Sequence, residues 1–376
     1  MHEGDAQRAA FPFRVAYDAR LSLGKFRGMG RFLRQLIAGR EREFLGFCAP
    51  GDRDDGLNLA SLGPRPYPAW EQIAVPRLLR QNDIDVFIAP YNTSPLSIPD
   101  KTQLILVVHD LIFMEALPWS RSAYQNLGRI YRRLVAPHAV KRADLVVTVS
   151  EFTARQLVEK FAVQPNRLRV IPNTISAEWY ATDRTEQMES RYILVVAGEA
   201  PSKNLGRALI AFAACSGLRI DQRIRMKIAG VSQTGQAAFR AQARQLGISD
   251  RVDFLPYLTE DGMRETYRQS EILLMPSLCE GFGIPVLEAM ASGTPVVCSS
   301  STCLPEIGAD APRYFNPYST SSMAEAIQQV LSNAQIREEM SQRGLKRAHA
   351  FHPDIVHQRI HSFWEEVRNL QENRRA

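Results

Sequence analysis

The sequence predicts an α/β protein of two doubly wound domains, each a parallel sheet with helices on both faces. Three observations predict it. At 376 residues the chain is long enough to bury two cores. Short β-branched runs alternate along it with stretches of helical character. The runs are nearly continuous in apolar residues rather than alternating, which strands covered on both sides require.

The elements follow in order. FRVAY, LGFCA, DVFIA, LILVVHD, DLVVTVS and RVIPN supply the strands of a first domain, expected over residues 1–182. The stretch ISAEWYATDRTEQMESR, residues 175–191, is polar and has no apolar rhythm, so the hinge is placed there. YILVVAG, MKIAG, RVDFLP, EILLMPS and PVVCS then build a second domain over residues 183–352. Residues 353–376 carry Ile355, Ile360, Phe363, Trp364, Val367 and Leu370 at largely helical spacing and read as a closing amphipathic helix.

Composition narrows the class. With 45% hydrophobic and 23% charged residues the chain is of ordinary globular type. It holds no run of about 18 apolar residues, and its first residues, MHEGDAQRAAFPFRVAY, lack the pattern of a cleaved leader. Export and membrane spanning are not expected. Five scattered cysteines, Cys48, Cys215, Cys279, Cys298 and Cys303, form no CxxC pair and fit reduced thiols in a cytosol.

The net charge of +6 lies wholly in the first part: residues 1–182 hold 24 Lys+Arg against 18 Asp+Glu, the rest 22 against 22. Within it, residues 120–143 contain Arg121, Arg129, Arg132, Arg133, Lys141 and Arg142 and no acidic residue. That segment reads either as a solvated helix face or as a contact for an anionic partner such as a lipid headgroup or phosphate. No nucleic-acid partner is expected.

In an open parallel sheet, ligands collect outside the carboxyl ends of the strands, where the following helices point their N-termini into the crevice. Four candidates stand at such ends. In PSLCEGFGIPVLEAM a strand ends at Pro276, a loop carries Glu280, Gly281 and Gly283, and Pro285 suits the first turn of the helix that contains Glu288. The glycines allow close backbone approach, and the free N–H groups of the first turn attract an anion such as a diphosphate. Either Glu288 then accepts hydrogen bonds from a ribose diol and Glu280 from a sugar hydroxyl, with the phosphates between them, or the stretch is a helix-capping loop with two solvated glutamates. In VVAGEAPSKNLGRALIAF a helix is expected to begin near Ser202 as N-cap, with Lys203 and Asn204 in its first turn. A lysine there opposes the helix dipole unless an anion intervenes.

ILVVHDLIF places His109 and Asp110 after a buried strand; a lone histidine there is either structural or catalytic, and the carboxyl edge favours the second reading. In DARLSLGKFRGMGRFLRQL a basic loop ends in Gly28-Met29-Gly30 before a helix, without the GxGxxG of a dinucleotide fingerprint. Asp52-Arg53-Asp54 lies in the flexible-looking GDRDDG segment and Asp83-Ile84-Asp85 leads into the strand VFIAP rather than following one, so neither makes a convincing metal clamp. GxxxxGK[ST], GxSxG and HExxH are all missing, which removes the main support for P-loop, triad and zinc-protease chemistry.

Taken together, EGFGIPVLEAMASGTPVV, VHDLIF, TVSEFTARQLVEKF and PSKNLGRALIAF resemble the retaining glycosyltransferase family 4, of GT-B fold, over nearly the full chain. The first block matches the E-x7-E element of that family. The resemblance implies two facing Rossmann-like domains, a nucleotide-sugar donor held mainly by the C-terminal one, an acceptor held by the N-terminal one, and a last helix that crosses back. Carried over by position, Glu280 would contact the transferred sugar, and the backbone of Gly281, Phe282, Gly283 and Ile284 would line sugar and phosphates. Glu288 would hold the ribose, Lys203 would neutralise the departing diphosphate, and His109 would sit near the reacting carbon. Gly28, Met29 and Gly30 would close over the phosphates, and Tyr257 and Leu258 would cradle the base.

One departure stands out. The family often has an arginine before this lysine, where this chain has Ser202, so Lys203 carries more of the charge or Arg31 contributes. The resemblance extends to bacterial mannosyl- and rhamnosyltransferases of surface-polysaccharide synthesis. It implies hexosyl transfer, with mannosyl from GDP-mannose as first expectation, onto a lipid-linked or polysaccharide acceptor, without metal or other cofactor, in the cytoplasm or peripherally at the inner face of its membrane. A nucleotide-sugar epimerase of the same fold and a non-catalytic nucleotide-sugar binder are the alternatives.

Overall fold

The computed structural model describes residues 11–24, 28–120, 122–180, 192–215 and 223–375. Most of the expected hinge, together with Lys25, Phe26, Arg27 and Arg121, lies outside them. Two sheets form, parallel throughout. The first contains β1 (Val15–Asp18), β2 (Leu45–Cys48), β3 (Asn58–Ser61), β4 (Val86–Ala89), β5 (Gln103–Val108), β6 (Leu145–Thr148) and β7 (Leu168–Val170), in the order β3-β2-β1-β4-β5-β6-β7. The second contains β8 (Tyr192–Val196), β9 (Arg225–Ala229), β10 (Val252–Phe254), β11 (Ile272–Met275), β12 (Val296–Ser299) and β13 (Arg313–Phe315), in the order β10-β9-β8-β11-β12-β13.

Burial explains why the central strands are apolar from end to end: every residue of β5, β6, β11 and β12 is buried, because helices cover both faces. The sequence runs miss β3 and β13. Both are short edge strands with polar, partly exposed residues, NLAS and RYF, so neither needs an apolar run.

The strand order reverses between β1 and β4 in one lobe and between β8 and β11 in the other, and each reversal opens a crevice at the carboxyl edge. The two edges face each other and touch. Ser150 Oγ donates to the Gly281 carbonyl at 2.8 Å, and a Cβ added to Gly281 would lie 2.0 Å from the His109 carbonyl oxygen.

The last helix, Pro353–Arg375, crosses back onto the first lobe. There Trp364 Nε1 donates to the Leu36 carbonyl at 2.9 Å, Gln371 Nε2 to Gln103 Oε1 at 2.8 Å, and Arg169 Nε to Glu366 at 2.7 Å. Beside the start of this helix, Tyr180 packs against His349 and His352 at ring separations of 5.5 and 5.0 Å, and its hydroxyl donates to the Ala348 carbonyl at 3.0 Å. All five cysteines are buried thiols.

Candidate active site

The site is built from three strand ends. After β5 the chain turns at His109, which is buried at 7% exposure. Its backbone N–H donates to Asn92 Oδ1 at 2.7 Å, and its Nε2 lies 2.8 Å from the Pro90 carbonyl. A carbonyl only accepts, so Nε2 carries the proton and Nδ1 keeps its lone pair. Burial pulls the imidazole down to about 4, against the Pro90 contact that favours its charged form. His109 is therefore neutral near pH 7, with Phe32 edge-on to its ring at 5.2 Å.

Next to it, Asp110 accepts from the Ile112 N–H at 3.0 Å. Burial raises its carboxyl, Arg132 and Lys203 pull it down, and Glu280 pushes it up. Asp110 thus belongs to the electrostatics of the site, although the sequence reading gave a role only to its neighbour His109. The signal was there: a carboxylate directly after a strand-end histidine.

After β8 the second lobe presents Ser202 and Lys203, and here an expectation is corrected. Residues Pro201–Lys203 form a 3-10 turn, Asn204 adopts the left-handed conformation with φ 56°, and the helix begins only at Leu205. Ser202 is therefore no N-cap. It is buried, and its carbonyl accepts from the Leu278 N–H at 2.7 Å, which ties this turn to the loop after β11. Asn204 holds the turn open by donating from Nδ2 to the carbonyls of Pro276 and Pro317 at 2.9 Å each. Lys203 is poised against a carboxylate rather than a helix dipole: its Nζ lies 2.7 Å from Glu280 Oε1. Burial works against the ammonium, but Glu280, with Asp110 beyond it, holds it above the usual lysine range.

After β11 the loop carries Glu280, Gly281, Phe282 and Gly283. The Glu280 N–H donates to Thr302 Oγ1 at 3.1 Å and its carbonyl accepts from Cys303 Sγ at 3.3 Å, so the loop is gripped from behind. Phe282 turns into the core against Phe351 at 5.6 Å, leaving only its backbone for a ligand. Gly283 has φ 97°, and a side chain there would also strike Leu304 at 2.6 Å. It precedes the helix Ile284–Ala291, with Pro285 in the first turn as expected.

Glu288, one turn further, is buried. It accepts from the Tyr267 hydroxyl at 2.9 Å and pairs with Arg31 at 3.4 Å. Burial raises its carboxyl to about 7, while Tyr267 and Arg31 pull the other way. Arg31 also meets Glu260 at 3.2 Å.

Gly28, Met29 and Gly30 are not a loop but the first turn of the helix Gly28–Leu36. Gly28 lies where a Cβ would come 3.3 Å from Ile284 Cδ1, so this turn meets the helix Ile284–Ala291 directly. Tyr257 is exposed and Leu258 half-buried, in the segment between β10 and the helix Glu260–Arg268. That helix brings Tyr267 to Glu288 and Glu260 to Arg31, so the segment borders the Glu288 end of the site.

Two arginines of the basic segment are engaged within the fold. Arg129 and Arg133 bind the carbonyls of Phe113 and Glu115, and Arg129 that of Leu117, so their guanidinium groups pin the loop before the helix Ala123–Arg142 instead of facing solvent. Of the two aspartate triplets, Asp54 pairs with Arg34 and Asp83 with Lys101. A cavity of about 300 Å³ runs between the lobes, lined by Met29, Asp110, Gln125, Asn126, Arg132 and Ser202 among others.

Two parallel-sheet lobes facing across such a cleft define the GT-B glycosyltransferase fold. Solved structures agree: sucrose-phosphate synthase from Thermosynechococcus elongatus superposes with a TM-score of 0.75 over 94% of this chain and 99% of its own, at 16% identity, a likeness of fold alone. The family model "Glycosyltransferase Family 4" matches residues 31–179 and "Glycosyl transferases group 1" matches residues 181–347. The first lobe thus carries a glycosyltransferase family 4 domain and the second a glycosyl transferases group 1 domain.

Among curated relatives, the MMP alpha-(1->4)-mannosyltransferase of Mycolicibacterium hassiacum is 27% identical over 54% of this chain and 49% of its own length. The serotype-specific mannosyltransferase WbdA of Escherichia coli is 26% identical over 73% of this chain and 35% of its own. The matched stretches thus span half or less of those relatives.

Proposed function

We propose that the protein is a retaining glycosyltransferase that moves a hexosyl group, mannosyl from GDP-mannose, onto a lipid-linked or polysaccharide glycan. The observation that carries this reading is the Lys203–Glu280 pair at 2.7 Å, set beside Gly281 where the lobes touch. An ammonium so placed neutralises charge that grows on a departing diphosphate. Glu280, freed from Lys203 as phosphate arrives, takes a sugar hydroxyl. Neutral His109 offers Nδ1 as an acceptor to the transferred sugar, and Glu288 receives the ribose diol.

The step on this reading is front-face: the bond from the anomeric carbon to the diphosphate oxygen breaks, the acceptor oxygen bonds on the same face, and its proton passes to the leaving oxygen. The amides of Gly281 to Ile284 and Lys203 offset the charge without a metal. The mannosyl choice rests on the names of the relatives.

The exposed face of the helix Ala123–Arg142 supports a membrane-bound acceptor. Tyr124, Leu127 and Leu134 stand 81%, 66% and 65% exposed, with Trp119 nearby at 56%, and residues 116–143 hold no acidic residue. This is the make-up of a helix that lies on an anionic bilayer. Among the described residues no helix is long and apolar enough to cross one.

A thermal-shift panel of GDP-, UDP- and dTDP-sugars tests the donor, since a ligand of the folded state raises apparent stability. GDP-mannose is expected to give the largest shift, and no shift with any donor refutes the reading. Product analysis then separates transfer, which frees nucleotide and makes a new glycoside, from epimerisation, which leaves an altered sugar on its nucleotide.

A further inference from the structure

One acidic residue outside the ligand-facing set spans the lobes. Glu306, on the short helix Leu304–Gly308 of the second lobe, accepts from the backbone N–H groups of Glu151 and Phe152 in the first, at 2.7 and 2.8 Å. These amides open the helix Glu151–Phe161, whose own cap, Ser150, already serves Thr153 N–H at 3.2 Å. Two of the N–H groups that a helix start leaves unpaired are thus satisfied by the opposite lobe. The carboxylate is held in aim, because Arg347 donates to the carbonyls of Glu306 and Ile307 at 2.7 and 2.9 Å.

The contact closes a ring. Glu306 follows shortly after Thr302 and Cys303, the two residues that grip the backbone of Glu280. Thr302 takes φ 58°, a conformation rare for a β-branched residue and found where local structure enforces it. From Glu280 the ring passes to Thr302 and Cys303, to Glu306, across the boundary to Glu151 and Phe152, to Ser150, and back through the Ser150 hydroxyl to the Gly281 carbonyl. Every non-covalent link in it is a named hydrogen bond, and two of its steps cross between lobes.

We propose that Glu306 is a positioning residue that couples lobe closure to the placement of the Glu280–Gly281 loop against His109. The proposal rests on the glycosyltransferase reading for its consequence, but not for its geometry. With the lobes apart, water hydrates the carboxylate and both amides, and Ser150 leaves Gly281. With the lobes together, the same carboxylate that caps the helix sets the loop on which Glu280 stands. Glu306 touches no substrate; it acts through Ser150 and Gly281. Donor affinity, which resides in the second lobe, is therefore largely independent of it, whereas turnover depends on it.

The test uses the full chain with Glu306→Ala and the isosteric Glu306→Gln, which keeps one acceptor oxygen. Hydrogen exchange at Glu151 and Phe152 and small-angle scattering are measured without substrate, then kcat and KM for the donor chosen by thermal shift. Expected for Glu306→Ala are exchange at least 10-fold faster at those two amides, a larger radius of gyration, kcat lower by about 10- to 100-fold and donor KM changed by less than about threefold. Glu306→Gln should fall between it and wild type. Unchanged exchange and scattering overturn the clasp, and so does a variant whose KM rises while kcat holds. If wild type transfers no sugar from any donor, the glycosyltransferase reading fails instead, and exchange and scattering still decide the clasp.

Discussion

Gly281→Ala is the sharpest perturbation the structure offers. The glycine does not serve a left-handed turn, since its φ is not in that region; it serves a close approach. An added Cβ would lie 2.0 Å from the His109 carbonyl oxygen and 2.8 Å from Asp110 Cβ. A carbon and a carbonyl oxygen rest at about 3.3 Å, so the two surfaces must part by about 1.3 Å. The obstacle is the backbone at the end of the buried strand β5, which cannot swing aside as a side chain tip does.

Two costs follow. Overpacking of this kind is worth about 1–3 kcal/mol, and the Ser150–Gly281 hydrogen bond adds about 1 kcal/mol if it breaks. At about 2–4 °C per kcal/mol for lobes of this size, melting falls by roughly 4–16 °C with the fold kept. Catalysis suffers more, because a misplacement of about 1 Å at a reacting centre costs on the order of 100-fold. Release of free nucleotide in the presence of acceptor, followed alongside calorimetry, measures both. A variant that melts within 1 °C of wild type, or turns over at its rate, would refute the argument that the lobes meet through this glycine (threshold set at about a quarter of a kcal/mol).

Further outcomes are expected at other positions. Glu280→Gln leaves Lys203 without its counter-charge and should lower turnover by about 100-fold or more while nucleotide still binds; if only affinity changes, Glu280 is not part of the chemistry. Glu288 has its carboxyl raised from 4.5 to about 7 by burial, so the folded chain holds a proton that the unfolded chain has released. Stability from this group is full below about pH 4.5 and is lost as pH rises to about 7, on the order of 3 kcal/mol in total. Melting of Glu288→Gln should therefore gain on wild type across that window, and nucleotide affinity of wild type should tighten as pH passes 7; parallel melting curves would count against it. Leu127→Ser/Leu134→Ser should weaken sedimentation with phosphatidylglycerol vesicles, and wild-type binding should decline with salt; equal binding by wild type and the double variant would remove the membrane contact. Turnover after exhaustive chelation should match the untreated enzyme, and a loss restored by a divalent ion would sink the metal-free step.

Much of the fold was legible because buried parallel strands leave continuous apolar runs such as LILVV and ILLM, which few other structures require. The edge strands NLAS and RYF left no such trace. The glycine loop with Glu280 and Glu288 was legible as a unit, since Gly281, Gly283 and Pro285 have few other uses at a strand end. Two local readings went wrong for identifiable reasons. PSKN was taken as a helix start, but left-handed Asn204 holds the turn apart from the helix, and asparagine adopts that conformation more readily than its letter reveals. Gly28 and Gly30 were taken as the end of a basic loop, yet they begin a helix whose start lies close enough to Ile284 that a small residue suits Gly28. What no local pattern contains is partnership across the lobes: Arg31 with Glu288 is separated by 257 positions and Glu151 with Glu306 by 155.

The return of the last helix has a mechanical consequence. A lobe tied to its neighbour by one connection can swivel in any direction, whereas this chain crosses once after β7 and again near His352. At Tyr180, the last described residue before the first crossing, the chain packs on His349 and His352 of the second. A pair of adjacent crossings acts as a door hinge, with one knuckle near the pivot and the swing greatest at the far rim. Widening that knuckle by lengthening either crossing would change the axis of swing and not only its range.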